Sequence, residues 1–284
     1  SGNDARLGGA FTVDYAYYLI DATHFFLQSI DAPINNPLFN GEAIGQSGSF
    51  SVASLNGNSV FSMTGGDVAT NSFTVTSAGR VTGVGTGSNV STLLDKISNG
   101  STVSTGTTAI TGGTFAVSAN GMGSLTIGSG GSAQAFSVAM IGTNSGFIME
   151  GTQASPGTNV MAGLLEAQTT PGGGWTNSAA SGLFTEANMF PTVTNAKVEV
   201  GSITFTPGSP SGSLSGTSDK STGPTCANSC LQLNKSISTT YSIDANGRFT
   251  LVSSGGSLIG WLRDTTHGTG LSANNIGLTT QFDH

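Results

Sequence analysis

Apolar and polar residues alternate along most of this 284-residue chain, and the alternation predicts β-strands. In TFAVSANGMGSLTI (114–127), apolar residues recur at every second position on both sides of Asn120-Gly121. The stretch TTYSIDANGRFTLV (239–252) has the same pattern around Asn246-Gly247. Asn-Gly between alternating apolar residues favours a tight hairpin, and a type I′ turn needs positive φ at both central residues. The sequence therefore predicts two β-hairpins with type I′ turns.

Two stretches could instead form short helices. They are VSTLLDKIS (90–98) and NVMAGLLEAQ (159–168), and each carries several residues that favour a helix. Glycine and β-branched residues within or beside them lower the helical propensity. We therefore interpret both as strand or turn, and the predicted fold class is all-β.

A similar ending occurs three times in the chain. HFFLQSIDAPINNPLFNGEAIGQ, GFIMEGTQASPGTNVMAGLLEAQ and GWLRDTTHGTGLSANNIGLTTQ end at Gln46, Gln168 and Gln281. A large apolar residue stands 19 positions before each glutamine, at Leu27, Met149 and Leu262. The glutamines are 122 and 113 residues apart, and the two Asn-Gly pairs are 126 apart. This spacing predicts a repeated domain, because it is too long for a solenoid repeat.

Each predicted domain has room for about eight to ten strands, at roughly 10–14 residues per strand and turn. That number suits a tandem array of antiparallel up-and-down (lipocalin-like) β-barrels, which leave no exposed sheet edge. A β-sandwich is the alternative fold. The predicted domains are residues 1–46, 47–168 and 169–284. The first is the end of an incomplete unit, which either rests on the next barrel, is completed by a partner chain, or reflects a permuted domain boundary.

The chain also resembles a known group of repeats. YYLIDATHFFLQSID followed by GEAIGQ, together with TYSIDANGRFTLV, is similar to the tandem β-barrel repeats of large secreted proteins from acidobacteria and related soil bacteria. The resemblance is strongest at residues 11–46 and 237–281, and TFTPGSPSGSLSG departs from the pattern. The resemblance implies a lipocalin-like barrel and an extracellular location. It implies no catalytic residues.

Composition narrows the classes of function. Charged residues are only 8% of the chain and the net charge is −7, which disfavours nucleic acid because its binding depends on clustered Lys and Arg. No apolar run approaches the ~20 residues of a membrane-spanning helix. Low charge with abundant Gly, Ser and Thr is typical of secreted bacterial surface proteins. We therefore expect an extracellular or cell-surface location.

The two cysteines, Cys226 and Cys230, lie four positions apart in PTCANSC. A pair this close favours a local disulfide in an oxidising compartment, and free thiols or a reactive pair are the alternatives. Zinc would need two further ligands nearby, and no histidine is adjacent to the cysteines. We expect no metal ion and no cofactor.

The sequence gives only weak evidence for catalytic residues. Asp21 and His24 in DATH lack a nucleophile elbow, and a turn held by Asp and Thr explains them. Carboxylates that could act as a pair in glycoside hydrolysis are expected to lie on a solvated face; they are Glu150, Glu166 and Glu186. Trp261 is expected in the core. Trp175 follows a glycine-rich loop and is the candidate glycan contact.

The sequence thus favours a non-catalytic extracellular structural or adhesive β-repeat protein that assembles head-to-tail into a filament. A lipocalin-like binder of a small apolar ligand is the alternative, and a hydrolase or glycan-binding module is a third. Large residues expected inside the barrels favour the structural role; they are Phe115, Tyr241, Phe249 and Trp261. The expected assembly interface, in a homo-oligomer or polymer, consists of Phe11, Val13, Tyr15, Tyr17, Phe25, Leu27 and Ile30.

Overall fold

A computed structural model of the chain describes residues 4–7, 13–30, 40–67, 72–98, 101–150, 159–188, 197–222, 231–253, 256–272 and 278–283. The regular structure of these residues comprises β-strands and three short 3₁₀ turns, with no α-helix. The all-β fold predicted from the alternation is confirmed. Residues 1–48 and 49–284 form two separate compact units.

The first unit is a four-stranded antiparallel sheet in the order β1-β2-β3-β4. Its strands are β1 (Asp4–Leu7), β2 (Val13–Leu19), β3 (His24–Ser29) and β4 (Asn40–Ile44). Asp21 Oδ1 accepts hydrogen bonds from the backbone N–H of Thr23 at 2.7 Å and from its hydroxyl at 2.9 Å. The predicted Asp-Thr turn between β2 and β3 is therefore confirmed.

The second unit begins with a ring of antiparallel strands. These are β5 (Asn56–Asp67), β6 (Ser72–Val84), β7 (Val90–Ser98), β8 (Ser101–Ser104), β9 (Ile110–Val117), β10 (Met122–Ile127), β11 (Gln134–Gly142), β12 (Ser145–Glu150) and β13 (Asn159–Ala167). The pairings run from β5 through β6, β7 and then β9 to β13, and β13 pairs with β5 again. Eight strands thus form the first ring, and β8 pairs with the end of β7. Both stretches that could have been helices, in β7 and β13, are strands.

The rest of the second unit is a closed eight-stranded barrel whose strands follow one another in sequence. They are β14 (Gly182–Asn188), β15 (Lys197–Thr206), β16 (Gly212–Thr222), β17 (Leu231–Ile243), β18 (Arg248–Ser253), β19 (Gly256–Leu262), β20 (His267–Ser272) and β21 (Leu278–Asp283). β14 pairs with β21 and closes the sheet. This second barrel has the up-and-down topology that the strand number predicted.

Both Asn-Gly hairpins are present, but their turns differ from the predicted type. Gly121 and Gly247 have φ of 83° and 82°, whereas the described non-glycine residues with positive φ are Asn89, Asn144 and Asn234. The N–H of Gly121 donates to Ser118 O, and the N–H of Ser118 donates to Met122 O, both at 2.9 Å. This is a longer loop that closes with one left-handed glycine, so the type I′ prediction is wrong.

Equivalent features recur in the first ring and the second barrel. Each Asn-Gly hairpin joins the fourth and fifth strands of its ring, β9 to β10 and β17 to β18. A 3₁₀ turn precedes the first strand of each, at Val52–Ser54 and Asn177–Ala179. The aligned glutamines differ in place, because Gln168 follows β13 whereas Gln281 lies within β21. The division at residues 46 and 168 stays a prediction.

Each ring is filled by side chains. Seventeen buried residues form the core of the first ring, among them Phe61, Phe115 and Phe136. The core of the second barrel includes Phe184, Phe205 and Tyr241, whose rings meet edge to face with centroids 5.0 Å apart. The Tyr241 hydroxyl donates to a backbone carbonyl of the 3₁₀ turn, which ties this turn over one end of the barrel. The packed interior predicted for Phe115, Tyr241 and Phe249 is present.

Candidate functional site at the seam between the two rings

The outer walls of the first ring and the second barrel pack against each other along a seam. Six buried residues form its apolar core, namely Val60, Ala78, Leu93, Ile97, Trp261 and Leu271. Strand alternation explains the arrangement. Phe61 and Leu94 point into the first ring, so their neighbours Val60 and Leu93 point outward. Trp261 is buried as expected, but it lies on the outside of its own barrel rather than inside it.

Asp95 is the polar centre of the seam. Its side chain is 1% exposed, and it accepts two hydrogen bonds of 2.9 Å from Nε and Nη2 of Arg248. Nε1 of Trp261 donates a third at 2.9 Å, and the backbone N–H of Gly106 donates a fourth at 2.8 Å. Four donors can satisfy both carboxylate oxygens, which is the condition for burying a charge without a large penalty. Asp95 therefore holds β7, the loop after β8, β18 and β19 in one arrangement.

A second cluster of charged side chains lines a cleft further along the seam. Arg263 Nη1 lies 2.6 Å from Glu166 Oε1, and Arg263 Nε lies 3.2 Å from Asp264 Oδ2. Burial acts to lower the pKa of Arg263, but the bonds to Glu166 and Asp264 outweigh it and raise the pKa above its usual value. Glu166 belongs to β13 and Arg263 follows β19, so this pair also crosses the seam.

His267 lies between two carboxylates of this cleft. Its Nδ1 is 2.9 Å from Asp264 Oδ1, and its Nε2 is 3.6 Å from Asp283 Oδ1. Thr266 also donates to Asp264, at 2.7 Å. Burial acts to raise the pKa of Asp264, but the hydrogen bonds from Thr266 and His267 hold it well below its usual value. Both ring nitrogens of His267 thus face acceptors, which fixes the orientation of the imidazole.

The cleft encloses a cavity of about 100 Å³. Its walls are Val60, Glu166, Trp261, Arg263, His267, Gly268, Thr269 and Asp283. Thr269 is 8% exposed, and its buried hydroxyl has no hydrogen-bond partner. A buried hydroxyl without a hydrogen-bond partner costs stability.

A third polar cluster lies inside the second barrel. Glu186 shares the inward face of β14 with Phe184, and Glu199 shares that of β15 with Ile203. Glu199 Oε1 accepts a hydrogen bond of 2.5 Å from the Ser218 hydroxyl. Burial, with a smaller contribution from the nearby charge of Glu199, raises the pKa of Glu186 to about 7. Glu186 therefore holds a proton at mildly acidic pH.

The predicted solvated face for the three candidate carboxylates is wrong in two cases. Glu150 points into the first ring, where its Oε1 lies 3.6 Å from Nζ of Lys96 and both side chains are largely buried. Glu186 is the interior residue described above, and Glu166 pairs with Arg263 at the seam. Alternation predicts which residues of one strand share a face with each glutamate. It does not show which of the two faces points into the barrel.

Trp175 is not the exposed aromatic residue that the sequence predicted. It is 5% exposed and belongs to the core of the second barrel. The glycine-rich loop before it allows the chain to bring this ring inward, where it packs beside Gly247. No face of Trp175 is presented for a sugar to stack on.

The expected assembly residues belong to the first unit. Tyr17 pairs with Leu27 across β2 and β3, and the rings of Tyr17 and Phe25 lie 6.1 Å apart. Ile30 is half exposed. Val13 and Tyr15 are in β2, and their side chains lie outside the described residues, as does all of Phe11. Cys226 and Cys230 also lie outside the described residues, so the disulfide stays a prediction.

Among the described residues, no helix has the length and apolar character needed to cross a membrane. The same residues contain no group of three or more His, Cys, Asp or Glu side chains placed to hold a metal ion. In comparisons with known proteins, the chain matches no family model and no curated protein.

Proposed function

We propose that this protein is a non-catalytic, extracellular structural or adhesive β-repeat protein, and that copies assemble head-to-tail through residues 1–46. The observation that carries the proposal is the four-stranded sheet of the first unit. Large apolar side chains remain exposed on it: Tyr18, Leu19, Ile20, Phe26 and Ile30. A second copy that covers them would gain roughly 1.5–3 kcal/mol for each large side chain fully buried.

The open edges of this sheet support the same proposal. β1 and β4 each pair with one strand among the described residues. An edge strand presents unpaired N–H and C=O groups, which a strand of another chain can bind by extending the sheet. Because such a contact joins two different surfaces, it leads to a ring or a filament. A filament is the form expected of an adhesive or structural surface protein.

The packed interiors favour a structural role over the carrier alternative. A lipocalin-like carrier needs an apolar cavity inside its barrel. In the second barrel, the corresponding space is occupied by Tyr241, Phe249 and Trp175. In the first ring it is occupied by the phenylalanine-rich core described above. The low charge and the abundance of Gly, Ser and Thr support an extracellular location.

Deleting residues 1–46 tests the assembly. The full chain is expected to form filaments or rings in negative-stain electron micrographs and large species in light scattering. The truncated chain is expected to remain folded and monomeric, because Ser49–His284 is a compact unit of its own. A truncated chain that assembles as the full chain does would overturn the proposal, and so would a full chain that stays monomeric across a wide concentration range.

Two point variants make the test more specific. Phe26→Ser removes an exposed ring from the middle of β3, and Leu183→Ser removes a somewhat more exposed side chain from the outer face of β14. Phe26→Ser is expected to weaken assembly and Leu183→Ser to leave it unchanged. Equal effects of the two variants would indicate nonspecific hydrophobic association instead.

A further inference from the structure

We propose that the outer wall of the first ring is the surface on which the first unit of a second copy docks. The first unit takes part because it is the assembly surface of the proposed function, on which this inference rests. The receiving surface is the outward face of β10–β13, and we call it the apolar wall. It comprises Met122, Ala139, Phe147, Met149, Val160 and Ala162.

The apolar wall is one continuous patch. Met122 pairs with Ala139 and Ala139 pairs with Phe147, so the three form a row across neighbouring strands. Met149 lies two positions after Phe147 and therefore on the same face of β12. Met122 is 53% exposed, Met149 48% and Val160 55%. Single exposed apolar residues are common on proteins, but a contiguous group on one face is typical of an interaction surface.

The second barrel uses the equivalent wall to bind the first ring. Met122 and Arg248 each come directly after an Asn-Gly pair. Met122 pairs with Ala139 on the next strand, and Arg248 pairs with Trp261 in the same way, so Ala139 takes the place of Trp261. Arg248 and Trp261 both donate hydrogen bonds to Asp95 across the seam. The wall that docks in the seam on one ring is therefore exposed on the other.

The apolar wall binds through apolar contact, because it lacks the charges of the seam. β10 and β11 contain no charged residue, and Glu150, the one in β12, points into the ring. The first unit offers a matching face. Tyr18 and Phe26 pair across β2 and β3 and are 61% and 49% exposed. Glu42, opposite Phe26, belongs to the edge strand β4, so its carboxylate lies at the rim of this face.

The two surfaces also match in form. The first unit is a sheet of four strands, and the apolar wall spans the four strands β10–β13. Two sheets can pack face to face, about 10 Å apart, with the side chains of each filling the gaps of the other. Because each copy carries one surface of each kind, the contact joins copies head-to-tail.

Met149→Glu tests the apolar wall in the full chain. The substitution places a carboxylate in the wall, and docking would bury it without a partner. In light scattering, assembly is expected to need at least about ten times more protein. Val252→Glu is the matched control, because Val252 is a 59% exposed residue of β18 in the second barrel. The control is expected to assemble as the unchanged chain does. Met122→Ser, in the same wall, replaces Met149→Glu if thermal unfolding shows that this variant does not fold.

Mixing two defective chains identifies the contact. Phe26→Ser damages the first unit and leaves the apolar wall intact, whereas Met149→Glu does the reverse. Each variant alone is expected to be mostly monomeric at a concentration at which the unchanged chain assembles. An equimolar mixture is expected to form heterodimers and nothing longer, because only one sound joint can form between the two chains. Sedimentation velocity measures the species present.

The outcomes separate this inference from the proposed function. If Met149→Glu assembles as Val252→Glu does, or if the mixture stays monomeric, the apolar wall is not the receiving surface, although assembly through residues 1–46 stands. A monomeric full chain, or assembly that Phe26→Ser leaves unchanged, overturns both. A closed dimer that persists after deletion of residues 1–46 shows that two apolar walls bind each other, and this also overturns the inference.

Discussion

Nε1 of Trp261 donates a hydrogen bond of 2.9 Å to Oδ2 of Asp95, although the two residues are 166 positions apart in the chain. Arg248 reaches the same carboxylate from the neighbouring strand. The bond therefore joins β7 of the first ring to β19 of the second barrel, deep in the seam. It makes the position of one ring depend on the other.

Replacing Asp95 by alanine is expected to destabilise the second unit strongly. The change leaves the Arg248 guanidinium and the Trp261 indole buried without their acceptor, and breaking a buried ion pair in this way costs about 3–5 kcal/mol of unfolding free energy. Urea unfolding measures it. Glu166→Gln is the control, since this pair with Arg263 is more exposed and is worth about 1 kcal/mol or less. Equal losses for the two variants would contradict the central role of Asp95.

Gly106 is expected to tolerate no side chain. A methyl group there would lie 2.6 Å from Asp95 Oδ2 and 2.8 Å from Cζ2 of Trp261. Neither atom can move without breaking the seam, so Gly106→Ala should cost about 1–3 kcal/mol of unfolding free energy. Gly172→Ala is the matched control, because nothing lies within 4 Å of its added carbon. If Gly106→Ala proves as stable as Gly172→Ala, the close packing described for the seam is incorrect.

Glu186 gives the second barrel a pH-dependent stability. Its pKa is raised from 4.5 to about 7, first by burial and then by the charge of Glu199. The folded state therefore binds more protons than the unfolded state between these values. This contribution is complete below pH 4.5 and is lost as the pH rises through 7. The loss is expected to be roughly 2–3 kcal/mol.

Substituting Glu186 by glutamine tests this dependence. In urea unfolding at pH 5 and pH 8, Glu186→Gln should flatten the decline, and its largest gain over the unchanged chain should occur at the higher pH. Glu199→Gln removes the like charge but not the burial, so it should flatten the decline only in part. A decline of the same steepness in Glu186→Gln would assign the effect to other groups.

Cys226 and Cys230 are expected to be bonded to each other in the native protein, because their spacing is short and the expected compartment is oxidising. Intact mass after alkylation, with and without a reductant, measures the state of both thiols. Two thiols that alkylate freely without reductant would contradict the disulfide.

Alternation was enough to predict the strands, because it depends on neighbouring residues alone. It placed both hairpins at their glycines, whereas β7 and β13 were predicted as strand or turn because their glycine and β-branched residues disfavour a helix. It did not predict the turn type, since Asn120 and Asn246 provide the same signal for a two-residue loop and for the longer loop that forms. Here the longer loop places only Gly121 and Gly247 in the left-handed region.

No short stretch of the sequence indicated the seam between the two rings. Alternation separates two faces of a strand, but it does not distinguish an inward face from an outward face covered by another ring. Trp261 and Phe249 therefore looked alike in sequence, although one packs outside and the other inside. The available signal was Asp95 in LLDKIS: a charge within an apolar run is unusual in a chain with 8% charged residues. Such a residue needs a buried partner, here Arg248, which is 153 positions away.

The seam also has a consequence for the order in which the chain is made. The ribosome adds Val60, Ala78 and Leu93 long before the residues that cover them, because Trp261 and Leu271 come late in the sequence. At about 5–20 residues per second, roughly 10–30 s of synthesis separate the outer wall of the first ring from the strands of the second barrel that cover it. Throughout that interval its apolar strip is open to other nascent copies. The last strands made are thus the ones that end this exposure.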